Sequence, residues 1–270
     1  MANFKLEPEF IGQTGQKIFL LSFQPASATQ GQIVFVPPFA EEMNRCRSLV
    51  ASQARQFASA GWGCNLLDLY GTGDSDGEFS EATLVHWFAD IDLAVNTVQQ
   101  RYGCRPVLWG LRTGALFAWH YAHRYQQNIA SLFLLAPLIS GRQFTRQLVR
   151  QRIAAALSRD DKSETAEKIN AQWQAGECVE IGGYELGGEL MLALSALEMS
   201  ADNLPSTTIV WLEHEAAEGK GPALAVDRLL KSLPTASVNL QMFGGPPFWQ
   251  MNRRADDSKV LLAMSEIFNQ

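Results

Sequence analysis

The stretch Trp109-Gly110-Leu111-Arg112-Thr113-Gly114-Ala115 decides how the rest of the chain is read. It closes an apolar run (Val107, Leu108, Trp109) and opens a helical one (Leu116, Phe117, Trp119, His120). Gly110 and Gly114 are spaced as in a nucleophile elbow, G-x-Nu-x-G, where a tight strand-to-helix turn lifts one side chain over a sheet. The lifted position holds Arg112. A guanidinium keeps its proton in a protein and cannot attack a carbonyl. An anion-binding group therefore stands where the central chemical group is expected.

Around this turn the chain alternates between strand-like and helix-like patterns. Phe4 to Ile11 and Lys17 to Gln24 read as an antiparallel pair, bounded by the Gly12 to Gly15 turn and by Pro25. Ile33-Val34-Phe35-Val36 is a continuous apolar run, as in a strand buried on both faces. Met43 to Ala60 carries apolar residues at helical spacing (Cys46, Leu49, Val50, Ala54, Phe57) and stops at Gly61. Cys64 to Leu69 is the next strand, and Leu84, Trp87, Phe88, Ile91, Val95 and Val98 mark one face of a second helix. Val107 to Trp109 is a strand, Ala115 to Tyr125 a helix and Ser131 to Ala136 a strand. Such alternation requires right-handed crossovers and a mostly parallel, helix-covered sheet.

The rhythm breaks after Pro137. Residues 140–203 show no strand pattern: a basic amphipathic helix (Gln143 to Ser158), a polar stretch around Asp160 to Glu167, glycines 182, 183, 187 and 188, and a short apolar helix from Leu190 to Leu197. Strands return at Thr207 to Leu212 and Val238 to Phe243, each followed by a helix. The reading is one α/β core, 1–139 and 204–270, with a helical cap inserted over 140–203.

Composition agrees with a single folded domain, because 270 residues at 47% hydrophobic content can bury a large core. A formal charge of −6 argues against a nucleic-acid partner. Cys46, Cys64, Cys104 and Cys178 form no C-x-x-C pair and the four histidines are dispersed, so no metal cluster and no cofactor is expected. Ile18 to Phe23 is too short for a signal core or a membrane span, which makes a soluble cytoplasmic chain the expectation.

Strand order and motifs together resemble the α/β-hydrolase fold over nearly the whole chain. The elbow at 110–114, the insertion after the following strand, and Asp68-Leu69-Tyr70-Gly71-Thr72-Gly73-Asp74-Ser75-Asp76-Gly77 carry the likeness. The last resembles the D-x-x-G-x-G-x-S-x-G turn of many such enzymes and reads as structural. As a phosphate loop of the G-x-G-x-x-G kind it fails, because residue 76 is Asp. More narrowly, Pro37-Pro38-Phe39-Ala40-Glu41-Glu42-Met43-Asn44-Arg45-Cys46-Arg47, with Gly110 to Gly114 and Gly244-Gly245-Pro246-Pro247-Phe248-Trp249, resembles the exosortase A system-associated hydrolase 2 family. That resemblance implies a bacterial setting that pairs exopolysaccharide production with protein sorting to the envelope. It implies no particular reaction.

An active α/β-hydrolase needs a nucleophile, a His base after the last strand, an acid after the strand before it, and two backbone N–H donors. Phe39 and Thr113 stand where the two donors normally lie, and Thr113 opens a helix whose N-terminus favours negative charge. With Arg112 they form an expected site for a small anionic or acyl-bearing ligand; alternatively Arg112 folds back onto Glu41 or Glu42. The turn that normally carries His reads Gly244 to Trp249, and no histidine follows His214. Four residues could supply chemistry instead. Cys46 lies between Arg45 and Arg47, though on an apolar helix face. Glu41 and Glu42 form an acid pair that can equally serve a helix dipole. His214 sits in the region of the acid and otherwise reads as a solvent-exposed loop histidine.

Asp90 and Asp92 read as a solvated helix face, and His120 and His123 as helix residues without partners. Phe248 and Trp249 fall near the pocket mouth, where Trp249 can stack on a sugar or close the cavity. Arg146, Arg150 and Arg152 line the cap helix, flanked by Arg142 and Arg159, with Phe144, Leu148 and Ile153 sharing one face. The helix is a lid over an anion, a docking surface for an acidic partner, a membrane-surface helix, or a cap with a solvated basic side.

Overall fold

The computed structural model describes residues 4–158, 164–215, 219–234, 237–251 and 258–268. In chain order the strands are β1 (Phe4–Ile11), β2 (Ile18–Pro25), β3 (Gly31–Val36), β4 (Trp62–Leu67), β5 (Val107–Leu111), β6 (Ser131–Leu135), β7 (Cys178–Ile181), β8 (Tyr184–Gly187), β9 (Thr208–His214) and β10 (Val238–Phe243). Eight of them form one sheet in the order β1-β2-β4-β3-β5-β6-β9-β10. The β1/β2 and β2/β4 pairs are antiparallel and the other pairs of that sheet are parallel. This is the α/β-hydrolase arrangement.

Alternation along the central strands divides the core between the two faces of the sheet. Val34, Val36, Leu108, Leu132, Leu134, Ile209 and Trp211 point to one side. There they meet α2 (Leu84–Tyr102) and α3 (Thr113–Arg124). Ile33, Phe35, Trp109, Leu111, Phe133 and Leu135 point to the other, against α1 (Ala40–Ser59) and α8 (Ser258–Phe268). Period-two side-chain direction in a strand covered on both faces gives this division, and so the strands read as unbroken apolar runs. Each fully buried Val, Leu or Phe contributes about 1.5–3 kcal/mol through apolar burial.

The segment between β6 and β9 holds α4 (Gly141–Leu157), α5 (Ala166–Gln174), the β7/β8 hairpin and α6 (Gly188–Ala196). The hairpin corrects the expectation of no strand there. Val179 and Ile181 turn inward while Cys178 and Glu180 are exposed, and Gly182-Gly183 takes positive φ at the turn. A Gly-Gly pair flanked by alternating residues is a hairpin signal, but four-residue strands are too short to stand out as a pattern. The expected polar stretch also yields α5, capped by Thr165 and anchored by buried Ile169 and Trp173. Asp160 to Ser163 of that stretch, and Arg159, lie outside the described residues. The two ends of the insert are tied by a bridge between Ser140 and Glu198. Its buried Phe144, Leu148, Trp173, Leu190 and Leu194 belong to the same apolar cluster as α2 and α3.

Two charged residues depart from their expected places. Asp90 is buried, not solvated, and its carboxylate accepts the Tyr70 amide at 2.7 Å. Arg152 is drawn into the insert, where it pairs with Glu164 and Glu180, while Arg142, Arg146 and Arg150 stay exposed. The 68–77 turn is structural. The Ser75 hydroxyl and Asp76 carboxylate take the Phe19 and Lys17 amides of the β2 edge, and Asp68 takes the Asp74 amide. Among the described residues no helix is long and apolar enough to cross a membrane.

Candidate functional site

The elbow forms between β5 and α3. Arg112 sits at its apex with φ 55° and ψ −117°, a conformation that ordinary side chains rarely take. Both glycines are required by close approach. A Cβ on Gly114 would stand 2.2 Å from the Val36 carbonyl oxygen, and one on Gly110 2.5 Å from the Ala115 Cα. Ala40 (φ 54°) and Ala136 (φ 43°) are the other non-glycine residues with positive φ among those described. One opens α1 and the other follows β6, so all three strained positions border this turn. Strain of about 1–3 kcal/mol at each persists only where the surroundings enforce it.

The guanidinium is held on three sides. Its Nε and Nη2 each donate to Glu42 Oε1 at 3.3 Å, and Nη1 donates to the Ala136 carbonyl at 3.0 Å. The Arg112 Cζ lies over the Trp249 ring, 4.5 Å from its centroid. Arg112 and Glu42 are both 8% exposed, so this is a buried ion pair. Of the two carboxylates weighed for the fork, Glu42 takes it. Glu41 points outward, half-exposed, and pairs with Arg45 at 3.3 Å. The expected open anion grip on Arg112 is therefore filled by the chain's own carboxylate.

Glu42 is only partly satisfied there. Its Oε2 is buried and accepts no hydrogen bond. Burial raises its pKa above the ordinary carboxylate value, against the lowering pull of Arg112 and Arg45. A second buried carboxylate, Glu213, is the penultimate residue of β9. It accepts from Trp211 Nε1 at 2.8 Å and from the His214 amide at 3.0 Å. Burial raises its pKa too, while Arg112 lowers it. Glu213 was missed as a site residue, although an acidic residue closing the apolar run Ile209 to Leu212 was a usable signal.

His214 is not a solvated loop residue. It ends β9, donates through Nε2 to the Gly245 carbonyl (2.7 Å), and sets its ring edge-on to Trp249 at 5.2 Å. It thus reaches the site through Trp249, with no hydrogen bond to a Ser, Thr or Cys among the described residues. Trp249 itself is buried beneath Arg112 and closes the floor, so the face expected to stack on a sugar is covered. Cys46 is buried among Leu49, Val50 and Phe57 on α1.

The two expected oxyanion donors keep free amides. Neither the Phe39 nor the Thr113 N–H donates a hydrogen bond among the described residues. Phe39 precedes α1, its ring packed against Trp87 and Phe144, whereas Thr113 is wholly buried with its hydroxyl unpartnered. Above this floor, between core and insert, lies a cleft of about 470 Å3. Phe39, Glu41, Glu42, Arg45 and Trp249 form its core side, and Gln147, Gln151 and Tyr184 face them from the insert. The insert residues were not anticipated, because only tertiary packing turns that side of α4 and the β7/β8 hairpin toward α1. No group of three or more His, Cys, Asp or Glu able to hold a metal occurs among the described residues.

The model of the serine aminopeptidase S33 family matches residues 27–174, which include the elbow, α1 and the first half of the insert. The chain belongs to that family of α/β-hydrolases. Its fold is shared with Est1E from Butyrivibrio proteoclasticus bound to ferulic acid, at 16% identity, a TM-score of 0.69, and coverage of 97% of this chain and 96% of that one. A thermostable carboxyl esterase from Bacillus coagulans in complex with glycerol is similar at 13% identity, TM-score 0.65, covering 98% of each chain. The thioesterase domain from the curacin biosynthetic pathway is similar at 14% identity and TM-score 0.61, covering 97% and 98%. No curated protein sequence matches the chain.

Proposed function

We propose that this member of the family binds a small acyl-bearing or anionic ligand in the cleft above Arg112 and does not turn over esters by a Ser–His relay. The observation that carries the reading is the elbow apex: the nucleophile's backbone conformation is kept, but its side chain is a guanidinium fixed by Glu42, Ala136 and Trp249. A group that never loses its proton cannot be acylated, and the turn after β10 carries no histidine to serve as base. Arg112 lies behind Glu42 and Trp249, which line the cleft, and an unpartnered Phe39 amide stands beside it; once Glu42 is displaced, the cation and the amide suit a carboxylate or carbonyl oxygen. The acyl class agrees with the ferulic acid bound to Est1E and with the thioesterase neighbour.

Glu42 sets the condition for binding. A ligand carboxylate reaches Arg112 only when Glu42 leaves the fork, and the missing partner of its Oε2 together with its raised pKa eases that exchange. Within this proposal the insert acts as a cap, and the exposed Arg142, Arg146 and Arg150 of α4 offer a surface to an acidic protein or a membrane. The setting is the cytoplasm of a bacterium with an exosortase-linked exopolysaccharide system, on the strength of the narrower resemblance.

Calorimetry with ferulate, butyrate, citrate and phosphate tests the reading. Binding should strengthen as pH falls toward 5, strengthen about tenfold or more in Glu42→Ala, and vanish in Arg112→Ala. Equal binding by Arg112→Ala and wild type, or neutral sugars binding as well as the acids, would refute it.

A further inference from the structure

A second cavity lies beside Pro37, Pro38 and Met43. An apolar slot of about 150 Å3 opens between α1 and the strands β2, β3 and β4. Phe35, Pro37, Met43, Val50 and Leu67 form its walls, and Cys46 adds a small buried thiol. A void of that size accommodates a group about as large as benzene. Two features noted in the sequence meet here, the Cys46-Arg47 step and the Asp68 turn, and the Arg112 site uses neither.

Arg47 and Asp68 are the two charged residues lining the slot. They pair at 3.1 Å through Arg47 Nη2 alone, and the other guanidinium donors have no partner among the described residues. The Arg47 side chain is 49% exposed and that of Asp68 15%, so the pair forms a polar rim and not a buried link. Asp68 accepts Arg47 on Oδ1 and the Asp74 amide on Oδ2, which leaves lone pairs for a further donor. A cation with spare donors and a carboxylate with spare acceptors thus stand side by side at the mouth of an apolar hole.

We propose that this slot binds a free α-amino acid with a branched or aromatic apolar side chain. The ligand's carboxylate receives the spare Arg47 N–H donors, its ammonium donates to Asp68, and its side chain fills the apolar slot. The charges of the zwitterion are set as close together as those of the rim, a match that a simple acid, amine or alcohol lacks. Burial pushes the Asp68 carboxyl above its ordinary value, and an ammonium beside it reverses that push.

Calorimetry on the full chain separates the contributions. The ligands are L-leucine, 4-methylpentanoate (no ammonium), 3-methylbutan-1-amine (no carboxylate), 3-methylbutan-1-ol (neutral) and glycine (no side chain). L-leucine should bind best, and each truncated ligand about ten- to hundredfold more weakly, as expected for loss of one charge-assisted contact or of the apolar group. Arg47→Gln, at an exposed side chain, should weaken L-leucine to a similar degree, and Ala51→Phe should fill the slot and abolish binding. No heat with L-leucine at millimolar concentration, equal binding of the alcohol, or wild-type binding by Arg47→Gln would overturn the proposal. So would loss of L-leucine binding in Arg112→Ala with Arg47→Gln unaffected, since the ligand would then lie in the cap–core cleft.

Discussion

Replacing Arg112 by Met keeps most of the side-chain stem and removes the charge. Glu42 is then left with no partner for Oε1, as it already has none for Oε2, and the Ala136 carbonyl and the Trp249 face lose their cation. Breaking one side of a buried ion pair typically costs about 3–5 kcal/mol. For a chain of this size that corresponds to roughly 6–20 °C in Tm. The loss should depend on pH. A carboxyl whose folded pKa is raised stabilises the fold fully below its ordinary value of 4.5 and loses that contribution as pH rises through the folded value. Without Arg112 the folded pKa of Glu42 climbs further, so the penalty is smallest at pH 4.5 and larger at pH 8. Arg112→Met/Glu42→Leu should recover wild-type stability or exceed it, because an apolar pair carries no desolvation cost. Denaturant titrations at both pH values measure this. A penalty of the same size at both, or no recovery in the double variant, would refute the view that Glu42 is held as a buried counter-ion.

Two further outcomes follow from the fold around the site. Asp90 has its pKa raised to about 6 by burial, so its contribution to stability is lost as pH rises from 3.8 through 6. Asp90→Asn, which keeps an acceptor for the Tyr70 amide, should stabilise the chain by about 1–3 kcal/mol at pH 8 and by little at pH 4; a denaturation midpoint unmoved at pH 8 would count against this. Gly114→Ala places a methyl 2.2 Å from the Val36 carbonyl, so the elbow must open and the folded yield or Tm should fall sharply, by several kcal/mol.

The elbow was legible because its information is local: two glycines, an apolar strand before them and a helix after. The occupant of the Arg112 fork was not. Glu41 and Glu42 are neighbours on α1, about 100° apart around its axis, and only the docking of α1 against the elbow selects Glu42 for burial and leaves Glu41 with Arg45. Trp249 was visible as a residue after the last strand, but its place beneath Arg112 depends on how the 244–250 turn packs against α1. Asp90 escaped for a similar reason. Its helix position looks solvated until the loop after β4 brings the Tyr70 amide to it. Contacts between elements distant in sequence, and not along one element, account for each of these differences.

Turnover tests the central claim most directly. Wild type, Arg112→Ser, Glu42→Gln and Cys46→Ala are assayed with short-chain p-nitrophenyl esters and acyl-thioesters. The account predicts no hydrolysis above background for wild type, and none gained by Arg112→Ser, because His214 stays hydrogen-bonded at Gly245 and no histidine follows it in the chain. Saturable wild-type hydrolysis that Glu42→Gln or Cys46→Ala abolishes would contradict it and make this elbow part of a working enzyme.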